Sequence, residues 1–204
     1  MTTLVMFSGG LDSTAMLVKL LTESAEALRV HHIRMANREG RADAEHAAVE
    51  AILAYCRAHY RPFRYSGSAL DFSELAAIPI DYLSIAFVAC QVAIDTPGCT
   101  RIAAGALATD TDIVNRCARQ QRVFQEMYAC YRARKLGEPE VRWIFPVYDV
   151  PKAELARELP PELLDLTWSC RRPVRSPKGW LACGACKACH ARPKSGLIAA
   201  RGAP

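Results

Sequence analysis

The sequence predicts an α/β fold in which a parallel sheet carries helices on both faces. Short apolar runs alternate along the chain with helical patterns of ten or more residues, and this alternation is typical of parallel sheets covered on both sides. The first run is followed by a Gly-Gly turn and then by an amphipathic stretch, which indicates a strand, a tight loop and a helix. Ligands bind such sheets at the carboxyl ends of the strands, so we expect the loops there to line one crevice.

Each element follows from its local pattern. The apolar run 4–7 predicts the first strand, and the run 15–18 lies in a helix that ends near Leu21. Small and apolar residues from Ala44 to Tyr55 recur at helical spacing, which predicts a helix at 43–59. The other predicted elements are strands at 28–33, 63–65, 102–105 and 141–145, a loop at 34–41, and helices at 82–94, 119–134 and 152–158. Pro160 and Pro161 then interrupt the chain.

The loop Ser8–Thr14, with the sequence SGGLDST, has the chemistry of an anion site. Gly9 and Gly10 allow the backbone to approach a bound group closely, and the N–H groups and dipole at a helix start favour negative charge. Ser8, Ser13 and Thr14 add hydroxyl donors. Asp12 suits such a place only with a cation, which implies Mg²⁺. The alternative is a glycine turn before a capped helix; no Gly-Lys-Ser/Thr of a Walker loop follows.

This loop resembles the SGGxDS pyrophosphate loop of the ATP pyrophosphatase (PP-loop) superfamily. The resemblance implies a Rossmann-like, adenine nucleotide alpha-hydrolase-like fold. It also implies cleavage of ATP between the α and β phosphates, with adenylation of a carboxylate or carbonyl oxygen. The residues expected to bind ATP are Phe7, Ser8, Gly9, Gly10, Leu11, Asp12, Ser13, Thr14, Ile33 and Gly105.

Composition and charge bound the remaining possibilities. The 204 residues fit one domain with a small appendage. No apolar stretch has the length of a membrane span, and no signal peptide precedes the first strand, so we expect a cytoplasmic protein without membrane contact. The net charge is +5, and much of it gathers in the last third of the chain. A basic surface could bind nucleic acid, or it could attract an anionic substrate and ATP. Because the sequence has no helix-turn-helix or RNA-binding signature, we expect an anionic substrate and ATP.

Four of the nine cysteines cluster near the C-terminus. Twelve residues separate Cys170 from Cys183, and Cys186 and Cys189 follow at CxxC spacing. Four thiolates at this spacing predict a closed, structural zinc site. Replacement of one ligand by His190, an iron–sulfur cluster, a redox pair and a zinc-ribbon DNA reader are the alternatives. We expect residues 1–164 to form the ATP-binding domain and 165–204 a zinc-binding segment packed on it.

The two end motifs together resemble 7-cyano-7-deazaguanine synthase, which makes a nitrile from a carboxylate with ATP and ammonia. The matching residues are Phe7–Thr14, Gly105, Thr109, Asp110, Phe124, Pro146, Lys152, Ser169–Arg171, Cys183–Cys189 and Arg192. Two family segments are absent: residues 35–39 replace an aromatic-Gly-Gln-Arg-His segment, and residues 79–83 replace one with an Arg-Asn pair.

The resemblance implies an ATP-dependent C–N ligase of queuosine biosynthesis. Its partners would be 7-carboxy-7-deazaguanine and ammonia, with an acyl adenylate as intermediate, and the family is homodimeric. The residues with expected roles are Asp12, Ser13, Lys152 and Asp110 in catalysis, Arg171 and Arg192 in substrate binding, and Cys170, Cys183, Cys186 and Cys189 as zinc ligands.

Plainer interpretations stand beside these roles. Lys152 suits an exposed first helical turn, Asp110 an N-cap, and Arg171 and Arg192 a solvated surface; His31 and His32 suit simple packing.

The missing Arg-Asn pair favours an alternative function. The enzyme would stop at the amide, or transfer the activated deazaguanine to another amine such as a protein N-terminus, as in antiphage systems. A PP-loop tRNA-modifying enzyme such as a thiolase, and a zinc-stapled nucleotide-binding module without activity, are further alternatives.

Overall fold

The structure is a computed structural model that describes residues 1–132 and 140–194, with the backbone alone for 192–194. The strands are β1 (Thr2–Met6), β2 (Ala27–Ala36), β3 (Arg64–Asp71), β4 (Cys99–Ala104), β5 (Arg142–Ile144), β6 (Val174–Ser176) and β7 (Gly179–Leu181). The helices are α1 (Leu11–Glu23), α2 (Ala42–His59), α3 (Asp81–Ile94), α4 (Ile113–Arg132), α5 (Lys152–Glu158), α6 (Pro161–Leu166) and α7 (Lys187–Lys194).

Five strands form one parallel sheet in the order β3-β2-β1-β4-β5. β2 and β3 are added on one side of β1, and β4 and β5 are then added on its other side. The strand order therefore reverses between β1 and β4, and a crevice opens at their carboxyl ends. The predicted α/β class with a parallel sheet is confirmed.

Helices cover both faces of the sheet, because successive side chains of a strand point to opposite sides. Val5 packs into a core with α1, α2, α5 and α6, whereas Leu4 and Met6 pack into a second core with α3 and α4. No helix among residues 1–132 and 140–194 has the length and apolarity to cross a bilayer.

Several boundaries differ from the sequence-based expectations. β2 continues through Ala36, into the stretch predicted as a loop, because residues 29–36 of β2 pair with all of β3. β3 is eight residues long and not three; as an edge strand it has little apolar alternation to reveal it. Pro161 begins α6 because proline is well suited to the first helical position. The predicted helix 119–134 starts earlier, at Ile113, and residues 133 and 134 lie outside the described residues.

Candidate functional site

The loop of residues 7–10 lies at the carboxyl end of β1, in the crevice where the strand order reverses. Gly9 has a φ of +74°, and a Cβ at this position would stand 2.9 Å from Cγ2 of Val49 in α2. Only glycine therefore fits. The carbonyl of Gly9 accepts a hydrogen bond of 2.9 Å from the backbone N–H of Trp168, which ties the C-terminal part of the chain to the loop.

The three hydroxyl groups of the loop have different environments. Ser8 is exposed, and its Oγ lies 3.0 Å from Oγ of Ser13. Thr14 is fully buried and donates its hydroxyl proton to the Gly10 carbonyl over 2.8 Å. The Thr14 hydroxyl therefore closes the loop, and Ser8 presents the accessible oxygen.

Asp12 lies in the first turn of α1 and meets groups from two other strand ends. Nζ of Lys152, the first residue of α5, lies 3.4 Å from its Oδ2. Burial raises the pKa of Asp12; the Lys152 charge opposes this rise and the Asp110 charge adds to it. Oδ1 of Asp12 is buried without a hydrogen-bond partner among the described residues. An orphaned carboxylate oxygen beside a second carboxylate is a donor set that suits a hard cation such as Mg²⁺.

The loop after β4 is held against the start of α1 by Gly105. A Cβ there would lie 2.9 Å from the Ser13 nitrogen and 3.0 Å from the Asp12 carbonyl carbon. Asp110 closes the following turn by accepting a hydrogen bond from the Leu107 N–H over 3.2 Å. The structure thus brings the predicted residues Asp12, Asp110 and Lys152 together with the loop.

A cavity of about 100 Å³ opens beside the loop at the carboxyl ends of β1 and β2. Phe7, Ser8, Ile33 and Met35 are among the residues that line it, so the predicted nucleotide-binding residues Phe7 and Ile33 border the same cavity. Its rim carries charged side chains from α2 and α3.

Those rim residues belong to an ion cluster centred on Arg41. The Arg41 guanidinium is largely buried and lies 2.6 Å from Oε1 of Glu45, 2.8 Å from Oδ2 of Asp81 and 2.8 Å from Oε2 of Glu39. Arg171 joins the cluster through Nε and Nη2, which donate to the two oxygens of Glu39 over 2.6 and 2.8 Å. Three carboxylates therefore face two guanidinium groups, which leaves an acidic excess.

The pKa values of the cluster follow from this arrangement. Burial raises the pKa of Glu45, against the attraction of Arg41. Burial also raises the pKa of Glu39, but the hydrogen bond from Arg171 and the charge of Arg41 outweigh it and lower the pKa overall. The (i, i+4) pair Arg41–Glu45 is visible in the sequence, but Glu39 and Asp81 join it only in the folded chain.

Arg171, a predicted substrate ligand, is thus paired with Glu39 rather than left solvated. The side chain of Arg192, the second predicted substrate ligand, lies outside the described residues.

His31 and His32 are buried, packed side chains. The His31 ring nitrogens lie 2.9 and 3.0 Å from the hydroxyls of Ser66 and Ser68, and burial lowers its pKa to about 4. His32 Nδ1 lies 3.0 Å from the Phe7 carbonyl, and burial lowers its pKa too.

The four clustered cysteines converge on one point. Their sulfur atoms all lie within 4.8 Å of one another, and four of the separations are 3.4, 3.6, 4.0 and 4.0 Å. Four sulfurs placed tetrahedrally at about 2.3 Å from one ion would be about 3.8 Å apart. A four-iron cluster interposes its own atoms and needs a wider spacing, so the geometry suits a single tetrahedral ion.

Backbone N–H groups surround these sulfur atoms. The N–H groups of Arg171 and Arg172 point to Sγ of Cys186 and Cys170, over 3.5 and 3.4 Å. Partial burial raises the pKa of Cys186, but the N–H groups of Arg171 and Cys189 outweigh this effect and lower the pKa to about 6. Such N–H donors fix the orientation of metal ligands.

Comparison with known proteins finds a likeness to a solved structure. A solved structure of the U34-tRNA thiolase NcsA from Methanococcus maripaludis, with its 4Fe–4S cluster, superimposes with a TM-score of 0.52 at 18% sequence identity. The match covers 83% of this chain and 58% of the thiolase.

The chain therefore shares the fold of that thiolase. The chain spans little more than half the length of that thiolase, and at this identity the likeness is one of fold. No family model matches the sequence, and no protein of curated function is significantly similar to it.

Proposed function

We propose that this protein is an ATP-dependent ligase that converts 7-carboxy-7-deazaguanine and ammonia to 7-cyano-7-deazaguanine. One observation carries the proposal: the Gly9–Gly10 loop stands at the switch point of the sheet, with Asp12, Lys152 and Asp110 brought to it from three different strand ends. This arrangement suits a triphosphate held by backbone N–H groups, a cation and a lysine.

In the proposed first step, an oxygen of the substrate carboxylate attacks the α phosphorus of ATP, and pyrophosphate leaves. The loop from Ser8 to Ser13 would hold the leaving pyrophosphate, and the Lys152 ammonium would offset its charge. Mg²⁺ held by Asp12 and Asp110 would supply further stabilisation of the phosphate charge. Placing two polyanions in line is the main catalytic task.

In the next step, ammonia attacks the acyl carbon, AMP leaves and a proton is released, so that an amide forms. A second ATP is then attacked by the amide oxygen, and pyrophosphate leaves again. Loss of AMP with the two N–H protons gives the nitrile. The balance is two ATP and one ammonia consumed for each carboxylate.

Two features support a nucleotide and a base at this edge. The cavity beside Ile33 has apolar walls for an adenine ring. The acidic excess of the rim also suits the ring of the deazaguanine substrate. Oδ1 of Asp81 is buried without a hydrogen-bond partner among the described residues, and the 2-aminopyrimidinone edge of that ring would supply N–H donors to it.

We also propose that the four cysteines hold Zn²⁺ in a structural role. Four thiolates complete a tetrahedral set and leave no open position for chemistry. The sulfur separations support one ion rather than an iron–sulfur cluster, and metal analysis of the purified protein would distinguish the two.

Turnover of 7-carboxy-7-deazaguanine tests the reaction. The full chain is incubated with the acid, ATP, Mg²⁺ and ¹⁵N-ammonium, and both pyrophosphate and product mass are measured. We expect pyrophosphate release that requires the acid, and a nitrile that contains ¹⁵N.

The other outcomes separate the alternatives. A product that stops at the labelled amide, or a deazaguanine conjugated to a supplied amine or protein N-terminus, would replace nitrile synthesis by the alternative function. Absence of acid-dependent pyrophosphate release would overturn the proposal. Hydroxylamine in place of ammonium would trap the acyl adenylate as a hydroxamate.

A further inference from the structure

The C-terminal part of the chain carries basic residues without acidic ones. After Asp165 the sequence has eight Lys and Arg and no Asp or Glu. Five of these lie within the part whose side chains are described: Arg171, Arg172, Arg175, Lys178 and Lys187. Arg171 is paired with Glu39, but among the described residues no carboxylate forms an ion pair with the other four.

A β-hairpin presents part of this charge. β6 and β7 pair with each other antiparallel and form a sheet separate from the five-stranded one, with Arg175 opposite Trp180. The Arg175 guanidinium lies over the Trp180 ring, 5.6 Å from its centre. The hydroxyl of Ser176 closes the turn by donating to the Gly179 carbonyl over 3.0 Å.

The hairpin therefore combines cations with a flat aromatic surface. Arg175 and Lys178 are exposed, and each stands five residues from the nearest cysteine of the cluster. A guanidinium plane beside an indole ring is a surface on which nucleic-acid bases stack, while the neighbouring cations contact phosphates.

The residues just before the hairpin lie close to the loop of residues 7–10. The Trp168 N–H is bonded to the Gly9 carbonyl, and Arg171 is bonded to Glu39 at the cavity rim. A polymer held on the hairpin would thus approach the same edge of the sheet as the proposed site.

We propose that the hairpin 174–181, with Arg172 beside it, is a docking surface for a single-stranded nucleic acid. The unpaired cations suit any polyanion, but the stacked pair Arg175 and Trp180 favours a strand with bases over an acidic peptide, which has no rings to stack. This role is additional to the proposed ligase reaction and does not depend on it.

Binding of labelled single strands of about 12 nucleotides to the full chain, followed by fluorescence anisotropy over a range of salt, tests the surface. RNA and DNA strands of the same sequence form the two arms. We expect Arg175→Ala/Lys178→Ala to weaken binding and to reduce the slope of log K against log salt by about 1.4, since each lost phosphate contact on a single strand contributes about 0.7.

A charge-matched variant provides the control. Lys19→Ala/Arg142→Ala removes two positive charges elsewhere, one at a partly exposed and one at an exposed position, and should bind as the parent chain does. Trp180→Leu should weaken binding about tenfold, whereas Trp180→Phe keeps a stacking ring and should largely retain binding. Retention of bound metal shows that the cysteine segment is folded in each variant.

The outcomes separate the possible partners. Preference for RNA assigns the partner to RNA, and equal binding of both strands assigns it to single strands in general; both support the proposal. An equal loss of affinity in the charge-matched control would show that only net charge matters, and it would overturn the proposal. So would failure of both strands to bind at low salt, or tighter binding of a poly-glutamate peptide that competes with the strands.

Discussion

The ammonium group of Lys152 lies 3.4 Å from the carboxylate of Asp12, although 140 residues separate the two along the chain. β5 and the segment that follows it bring the lysine to the start of α1. The contact partly compensates a carboxylate that burial makes costly to ionise. It also places an ammonium group and a carboxylate side by side next to the loop, which is the feature on which the proposed chemistry depends.

Replacement of Asp12 by Asn should abolish turnover while the fold remains. The amide has the same shape but no charge for a cation, so we expect acid-dependent pyrophosphate release to fall by about 10²–10³-fold. Steady-state pyrophosphate release measures this effect. Asp165→Asn, at an exposed position of α6, is the matched control and should turn over normally; an active Asp12→Asn enzyme would contradict the role of Asp12.

The same substitution should stabilise the ligand-free protein at neutral pH. Burial raises the pKa of Asp12 in the folded chain, so its contribution to stability is present below the unfolded-state pKa and is lost as pH rises through the folded-state pKa. Asn does not titrate. Melting temperatures should therefore favour Asp12→Asn at neutral pH and converge with the parent in acid, and a difference independent of pH would refute this interpretation.

Gly105→Ala should damage both stability and nucleotide binding. The added Cβ would meet backbone atoms of Asp12 and Ser13 at 2.9–3.1 Å, so the first turn of α1 must move. We expect a loss of about 1–3 kcal/mol in the free energy of unfolding and a weaker affinity for ATP by calorimetry. In the control Gly67→Ala the new atom makes ordinary contacts at 3.6 Å, and unchanged ATP affinity in Gly105→Ala would argue against the close packing.

Cys186→Ser should release the metal and unfold the C-terminal segment, because ligand loss removes binding energy that contributes directly to folding. Elemental analysis of the purified variant measures the metal content, and we expect zinc in the parent chain. Cys130→Ser alters an exposed cysteine outside the cluster and should keep the full metal content. A Cys186→Ser protein with stoichiometric metal and parental stability would show that this thiol is not a ligand.

Arg41→Met should strongly destabilise the protein, because Glu39, Glu45 and Asp81 would be left with Arg171 alone. Breaking a buried ion cluster costs about 3–5 kcal/mol, measured by urea denaturation. Arg34→Met breaks the exposed pair with Asp43 and should cost less than about 1 kcal/mol. Similar losses in the two variants would mean that burial of Arg41 is energetically unimportant.

The functional groups that lie close together in the chain could be predicted from the sequence. Ser8–Thr14 lie in one loop and the first turn of a helix, and the four cysteines lie within twenty residues of one another, three of them at CxxC spacing. Such short separations make the shared site visible in the sequence. The strand–helix alternation determined the parallel sheet for the same reason, since each element carries its own hydrophobic period.

Only the tertiary structure decided which distant groups meet. Lys152 reaches Asp12, and Arg41 gathers carboxylates from the loop before α2, from α2 itself and from α3, because the parallel sheet brings the carboxyl ends of its strands to one edge. The hairpin 174–181 is too short and too polar for a periodic signal, and its pairing of Arg175 with Trp180 depends on a turn closed by Ser176. Contacts across long sequence separations leave no local pattern. The sequence therefore named Asp12 and Lys152 without joining them, and it did not single out the Arg41 cluster or the hairpin.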